Sequence, residues 1–297
     1  MPDATDQRSD AIVELSIVIA AYDAARTIDD QLRALLDQEW KGGWEVVVAD
    51  NGSSDGTREA VERAAAVDGR IRLLDASDRR GPAHARNRGV EQAKGTSIAF
   101  CDADDVVGEG WLAAMGDALR RTPFVTGPQE HQRLNPQWLH GMYGTVPARE
   151  LQTFAGIFAF GPAANLGIRR ELFKELGGFD ASLSVGEDVD LCLRAWLRGE
   201  HLEYVPEAVV HYRYRGSLSG IWRQAVQYGV SRPLIARRLA QVGRPVPSRW
   251  SGVRNWVWLV RRLPTLRSKA GRARWVVVAG GSVGRIIGSV RSRHLAL

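Results

Sequence analysis

At 297 residues the chain is long enough for one large domain with an appendage or for two domains, and its 44% hydrophobic content supplies a substantial core. The two cysteines, Cys101 and Cys192, each lie in an apolar run, which argues against a disulfide framework and fits a reducing cytoplasm. The net charge of +6 hides a segregation: residues 208–297 hold 18 Arg or Lys and no acid, whereas residues 1–207 carry a net −12. An acidic body is therefore followed by a cationic tail.

Residues 1–14 form a polar N-terminal segment without the apolar stretch of a signal peptide. The next hundred residues alternate strand and helix signals. Leu15 to Ala20 is a β-rich apolar run, and Thr27 to Gln38 spaces Ile28, Leu32, Leu35 and Leu36 as one helical face, with Thr27 as a cap. Trp44–Ala49 predicts a second strand, Thr57–Val67 a helix and Ile71–Leu74 a third strand. Gly81–Lys94 then predicts a third helix, and Ile98–Cys101 a fourth strand. Such alternation implies parallel βαβ units. Residues 127–163, rich in Gly, Pro and aromatics, are expected to form a long loop or lid. Ala164–Arg169 reads as a strand and Glu171–Leu176 as a short helix. Glu187–Arg198 is the clearest helix of the second half. Tyr204-Val205 and Val209–Tyr214 read as short strands, and Ser217–Ala240 as one long helix or two shorter ones.

Three carboxylates, Asp102, Asp104 and Asp105, fall within four residues directly after the apolar strand Ile98–Cys101. Acids so close repel one another, so a cation belongs among them, and a hard divalent ion with a substrate phosphate is the natural candidate. The position suits this, because open α/β sheets bind ligands beyond the carboxyl ends of their strands. A polar turn capping the helix near Trp111 is the plainer alternative. After the second strand, Asp50 can accept from a base N–H or a ribose hydroxyl, within a turn built on Gly52 and Gly56. Gly81-Pro82 opens the third helix, whose free N–H groups favour anions, and Arg86 and Arg88 can reach phosphate.

Four segments together resemble family 2 glycosyltransferases. They are Ile17 to Asp23, Asp50 to Thr57, Gly81-Pro82 with Ala85-Arg86-Asn87, and Asp102-Ala103-Asp104-Asp105. Gly177 to Asp180 and Gly186 to Arg194 are similar to the family's acceptor side. The resemblance covers about residues 15–215 and implies a GT-A fold: a Rossmann-like mixed sheet flanked by helices. It implies a donor half over 15–127 and an acceptor half over 128–215, followed by a basic helical extension over 216–297. The implied reaction is metal-dependent, inverting transfer from a nucleoside diphosphate sugar to a hydroxyl on a saccharide or lipid-linked acceptor. In that reading Ala20, Tyr22, Asp50, Arg86, Asp102 and Asp104 serve the donor, and Asp104 and His211 hold Mn²⁺ or Mg²⁺. Asp188 is the general base, with Glu187 and Trp138 on the acceptor side. Asp190 is structural, paired with Arg194 one turn on.

The resemblance leaves open a catalytically inactive scaffold that binds sugar nucleotides, although a scaffold needs neither Asp104 nor Asp188. A dinucleotide oxidoreductase is disfavoured, because no Gly-x-Gly-x-x-Gly follows the first strand. The tail carries Trp250, Trp256, Trp258 and Trp275 among 12 basic residues of 243–297. Its most apolar run, Trp275–Val290, contains Arg285 and is shorter than the roughly twenty residues that span a bilayer. Basic segments with tryptophans suit an anionic membrane surface, which predicts a peripheral position at the inner face of the cell membrane in envelope polysaccharide or glycolipid synthesis. A basic appendage packed on the domain is the alternative. No nucleic-acid recognition motif accompanies the charge.

Overall fold

The computed structural model describes residues 12–143, 150–244, 246 and 252–293. Most of the polar N-terminal segment, residues 144–149 of the expected lid, and Trp250 lie outside the described residues. The chain runs β1 (Val13–Ala21), α1 (Ile28–Leu36), β2 (Gly43–Asp50), α2 (Thr57–Val67), β3 (Ile71–Asp75), α3 (Pro82–Gln92) and β4 (Ser97–Asp102). It continues through β5 (Val106–Val107), α4 (Trp111–Arg121), β6 (Phe124–Thr126) and β7 (Gln129–Glu130) to a 3₁₀ turn at Gln137–Leu139. β8 (Gln152–Phe154), β9 (Phe158–Phe160), β10 (Asn165–Arg169), α5 (Arg170–Glu175), α6 (Glu187–Leu197), β11 (Glu203–Tyr204) and β12 (Val210–His211) complete the body. The tail comprises α7 (Leu218–Gln241), α8 (Val253–Arg261) and α9 (Lys269–Ser292).

Seven strands form the main sheet in the order β11-β6-β10-β4-β1-β2-β3. β1 pairs in parallel with both β2 and β4, β2 pairs in parallel with β3, and β10 runs antiparallel between β4 and β6. The strand run is apolar without alternation because both faces are covered. Leu15, Ile17 and Ile19 of β1 pack with Ile28, Leu32, Leu35 and Trp111, whereas Val18 points the other way to Phe100, Phe173 and Phe179. α3 presses so closely on the sheet that a Cβ on Gly89 would lie 2.4 Å from Val18 Cγ1.

The segment expected to be one long loop is broken up. β5, β12 and β7 form a small second sheet, and β8 and β9 pair as a hairpin. Strands of two or three residues have no periodicity to read in a sequence. The expected capping by Thr27 does not occur: its hydroxyl bonds the Ala24 carbonyl instead.

Residues 218–241 form one helix, continuous through Pro233. α7 and α9 pack through glycine: a Cβ on Gly284 would lie 2.1 Å from the Val226 carbonyl oxygen, and one on Gly288 2.4 Å from that of Val230. Leu139, Met142, Tyr214, Ile221 and Ala273 join this pair to the body. The apolar run of α9 is thus largely used in packing. An exposed apolar stripe is left on α8, where Val253, Trp256, Val257 and Val260 recur at i, i+3, i+4 and i+7. Among the described residues, no helix is long and apolar enough to cross a membrane.

Candidate active site

The sheet's order reverses at β1, with β2 and β3 on one side and β4 on the other, and ligands bind at such points. The register sets Asp50 beside Ala21 and Asp102 beside Ala20, so two acids flank the carboxyl end of β1.

After β4 the chain turns sharply and brings carboxylate oxygens of Asp102, Asp104 and Asp105 within 4.8 Å of one another. Gln31 braces the turn, donating to the Asp102 carbonyl at 3.3 Å and accepting from the Val107 N–H at 2.9 Å. Arg86 Nη2 lies 2.7 Å from Asp102 Oδ1, and Arg215 Nη1 lies 3.2 Å from Asp104 Oδ2. The Arg213 backbone N–H donates to Asp105 Oδ1 at 2.7 Å, and the Arg213 side chain donates to the Asp104 carbonyl at 2.8 Å. Asp105 Oδ2 is buried and has no hydrogen-bond partner among the described residues. Burial, with repulsion from neighbouring acids, raises the pKa of Asp104 and raises that of Asp105 well above the carboxylate range. Clustered oxygen ligands, one of them a buried orphan, fit a hard divalent cation.

The second component is the start of α6. Gly186, at φ +85°, supplies the left-handed turn that opens the helix, and Glu187 and Asp188 occupy its first turn. Asp188 accepts from the Ala163 N–H at 3.1 Å and from the Val189 N–H at 2.7 Å. Burial raises its pKa above the usual value, and burial with the adjacent Asp188 charge raises Glu187 to about 7. Arg86 joins the two components: its Nη1 lies 2.8 Å from Glu187 Oε1 while its Nη2 holds Asp102. The neighbouring Asn87 anchors the turn before α6 by exchanging hydrogen bonds with the Phe179 backbone at 2.8 and 2.9 Å. Asp190 pairs with Arg194 at 2.8 Å, as the spacing predicted.

Other expected positions fall differently. Asp50 is fully buried, accepting from Gly52, Ser53 and Arg58, so it holds its own loop rather than facing the crevice. Tyr22 is exposed, with the Arg80 guanidinium 4.8 Å from its ring centre. His211 bonds Glu130 through Nδ1 and Arg133 through Nε2, each at 2.9 Å, and lies outside the carboxylate cluster. Trp138 packs with the cluster around Ile221 and Ala273, with Lys269 4.5 Å above its ring, so its ring serves the junction with the tail. Gln31, Arg213 and Arg215 are site residues that the sequence reading passed over, whereas Asp105 was read there only as a member of the acid run. The alternating Tyr-Arg of 212–215 was the signal for the two arginines. α7 adds Tyr228, whose ring is exposed but whose inner hydroxyl is raised to about 12 by burial and the charges of Asp188 and Asp102.

The sequence pattern of Glycosyl transferase family 2 matches residues 16–177, more than half of the chain. The chain belongs to glycosyltransferase family 2. Glycosyl transferase family group 2 also matches, over residues 97–282. Glycosyltransferase AglE of Haloferax volcanii is 27% identical over 198 residues, 66% of this chain and 65% of that protein. Pre-mycofactocin glycosyltransferase of Mycobacterium tuberculosis is 28% identical over 253 residues, 82% of this chain and 53% of that one. Poly-beta-1,6-N-acetyl-D-glucosamine synthase of Staphylococcus aureus is 24% identical over 231 residues, 75% and 55% respectively. The chain therefore spans between about half and two thirds of these relatives' length.

Two solved structures share the architecture. Mannosyltransferase PcManGT from Pyrobaculum calidifontis, in complex with GDP-Man and Mn²⁺, superposes with a TM-score of 0.60 at 20% identity, covering 94% of this chain and 75% of that one. S. aureus TarS 1-349 gives 0.55 at 18% identity, covering 95% and 92%. The family 2 chain has the expected GT-A-type fold.

Proposed function

We propose that this family 2 chain transfers a sugar from a nucleoside diphosphate sugar to an acceptor hydroxyl, inverting the anomeric carbon with the help of a divalent cation. The observation that carries the reading is Arg86, which holds the acid at the end of β4 and the acid beside Asp188 in one buried bridge. A nucleotide site at the β1 crevice and a general base at the start of α6 then act on one substrate pair.

Tyr22 and Ala20 shape the nucleoside end, with Asp50 holding the loop beneath it. Asp102, Asp104 and Asp105 would hold Mn²⁺ or Mg²⁺, whose charge would offset that developing on the departing diphosphate. His211, engaged by Glu130 and Arg133, falls outside this set. Asp188 takes the acceptor hydroxyl's proton as that oxygen bonds to the anomeric carbon. The bond from that carbon to the diphosphate oxygen breaks, and its electron pair leaves with the diphosphate. Glu187 keeps Asp188 in a strongly anionic setting and Arg86 balances it.

The exposed stripe of α8, beside Arg254, Arg261 and Arg262, supports a position on an anionic membrane, with the body in the cytoplasm. A lipid-linked acceptor in envelope polysaccharide or glycolipid synthesis fits that position.

The Asp188→Asn variant tests the base. A positioned base contributes about 10²–10⁴-fold, so turnover should fall by that range while sugar-nucleotide binding is kept. Turnover close to wild type would contradict the assignment.

A further inference from the structure

Three arginines meet the carboxylate turn after β4, and each is held differently. Arg86 is buried and pinned on two sides, by Asp102 and Glu187. Arg213 gives its side chain to the Asp104 carbonyl at 2.8 Å and lies 3.6 Å from Asp30, while its backbone N–H holds Asp105. Arg215 meets the Asp104 carboxylate itself, at 3.2 Å, with a side chain that is 57% exposed. Among the described residues, the Asp104 carboxylate has no other side-chain partner and Arg215 has no other ion pair.

The stem of Arg215 is fixed and its head is free. The Tyr214 N–H just before it donates to Asn135 Oδ1 at 2.8 Å. A Cβ on Gly220, in the first turn of α7, would lie 3.2 Å from Arg215 Cβ. A Cβ on Gly216 would meet nothing within 4 Å, so the chain beyond is uncrowded. The guanidinium can therefore change partners by rotating its outer torsions while the backbone stays in place.

Asp104 cannot serve two cations at once. A divalent ion among Asp102, Asp104 and Asp105 takes the oxygens on which Arg215 rests and repels its charge. The diphosphate that accompanies such an ion offers oxygens that match the forked donors of a guanidinium. Arg86 is pinned and Arg213 is spent on the backbone of the turn. Arg215 is the one of the three with the freedom to follow.

We propose that Arg215 is an exchangeable countercharge: it neutralises Asp104 until the cation takes that carboxylate, and then turns to bind the diphosphate. The proposal rests on the transfer reading above and adds a donor-binding residue to it. One charge then works against the cation alone and in favour of the cation with its nucleotide. An arginine that merely held the turn together would shift both affinities the same way.

Calorimetric titration of the full chain with Mn²⁺ alone, and then with UDP and with GDP in saturating Mn²⁺, separates these effects. Arg215→Gln should bind Mn²⁺ alone about threefold more tightly or better, because a neighbouring positive charge and a rival for Asp104 are gone. The same variant in Mn²⁺ should bind whichever nucleotide the wild type binds about tenfold more weakly, because a guanidinium–phosphate contact is lost. Arg215→Lys keeps the charge without the fork; it should match wild type for Mn²⁺ alone and fall between the two for nucleotide. Arg223→Gln, which removes an exposed charge from α7, should change either affinity by less than about twofold. Weaker binding of both Mn²⁺ and nucleotide by Arg215→Gln would mark a structural role and overturn the proposal. So would Mn²⁺ affinity equal to wild type. Nucleotide binding that the wild type shows and Arg215→Gln keeps in full overturns the proposal alone. Failure of the wild type itself to bind either nucleotide in Mn²⁺ contradicts the transfer reading, and the proposal with it.

Discussion

Arg86 Nη1 lies 2.8 Å from Glu187 Oε1, with the arginine 5% and the glutamate 6% exposed. The two residues are 101 positions apart, so this contact fixes α3 against the start of α6. Arg86→Met would strip the countercharge from Glu187 and Asp102. Removing one partner of a buried pair costs about 3–5 kcal/mol. Glu187 can shed that penalty by taking up a proton, so the loss should be larger at pH 8 than at pH 5.5. Thermal unfolding at the two pH values checks this; equal losses would contradict it.

Activity should rise with pH. Asp188, the proposed base, can accept a proton only when ionised, and Glu187 beside it is raised from 4.5 to about 7 by burial and the Asp188 charge. As the pair loses its proton near neutrality, kcat/KM should climb. Glu187→Gln removes a like charge from Asp188 and should move the midpoint to lower pH. Stability follows the opposite course. A folded-state pKa above the unfolded value makes Glu187's contribution fully present below about 4.5 and lost as pH rises through about 7. A pH–rate profile of both proteins reads the first effect, and a pH series of melting temperatures the second.

The acid cluster should trade stability against cation affinity. Asp105 is buried, with Oδ2 unpartnered and its pKa raised well above normal. Asp105→Asn should therefore melt higher than wild type in EDTA, yet gain less stability from added Mn²⁺. Asp104→Asn should bind Mn²⁺ at least tenfold more weakly, since changing even a ligand's supporting partner costs about 10–100-fold. Melting curves with and without Mn²⁺ measure both; equal Mn²⁺ stabilisation in all three proteins would contradict the assignment.

Gly284→Val should separate α7 from α9. Its new Cβ would lie 2.1 Å from the Val226 carbonyl oxygen, which is backbone and cannot swing away. Overpacking of this kind costs about 1–3 kcal/mol. Limited proteolysis should then cut the tail before the body, with the sheet intact by circular dichroism.

Val257→Asp with Val260→Asp would place charges on the exposed face of α8 without touching the core. Sedimentation with phosphatidylglycerol vesicles should fall several-fold, and wild-type binding should weaken in high salt. Unchanged sedimentation would remove α8 from membrane contact.

The parallel βαβ run was legible because long apolar strands, amphipathic helices and glycine turns all point one way between Leu15 and Cys101. Asp102, Asp104 and Asp188 were legible because each stands where a strand ends or a helix begins. What escaped depended on distance along the chain. Gln31 reaches the turn 71 residues later, and Arg213 reaches back 108 residues to Asp105, contacts that no local spacing encodes. Asp50 and His211 were visible as residue types, but their partners Arg58, Glu130 and Arg133 were not. Burial of a short strand such as β12 shows no period to read.

The most direct test of sugar transfer is release of nucleoside diphosphate across a panel of sugar nucleotides, with Mn²⁺ or with EDTA, for wild type and Asp104→Ala. Release from one donor that requires the metal and disappears in the variant is the predicted result. Failure to bind or turn over any sugar nucleotide under any metal condition would contradict the account.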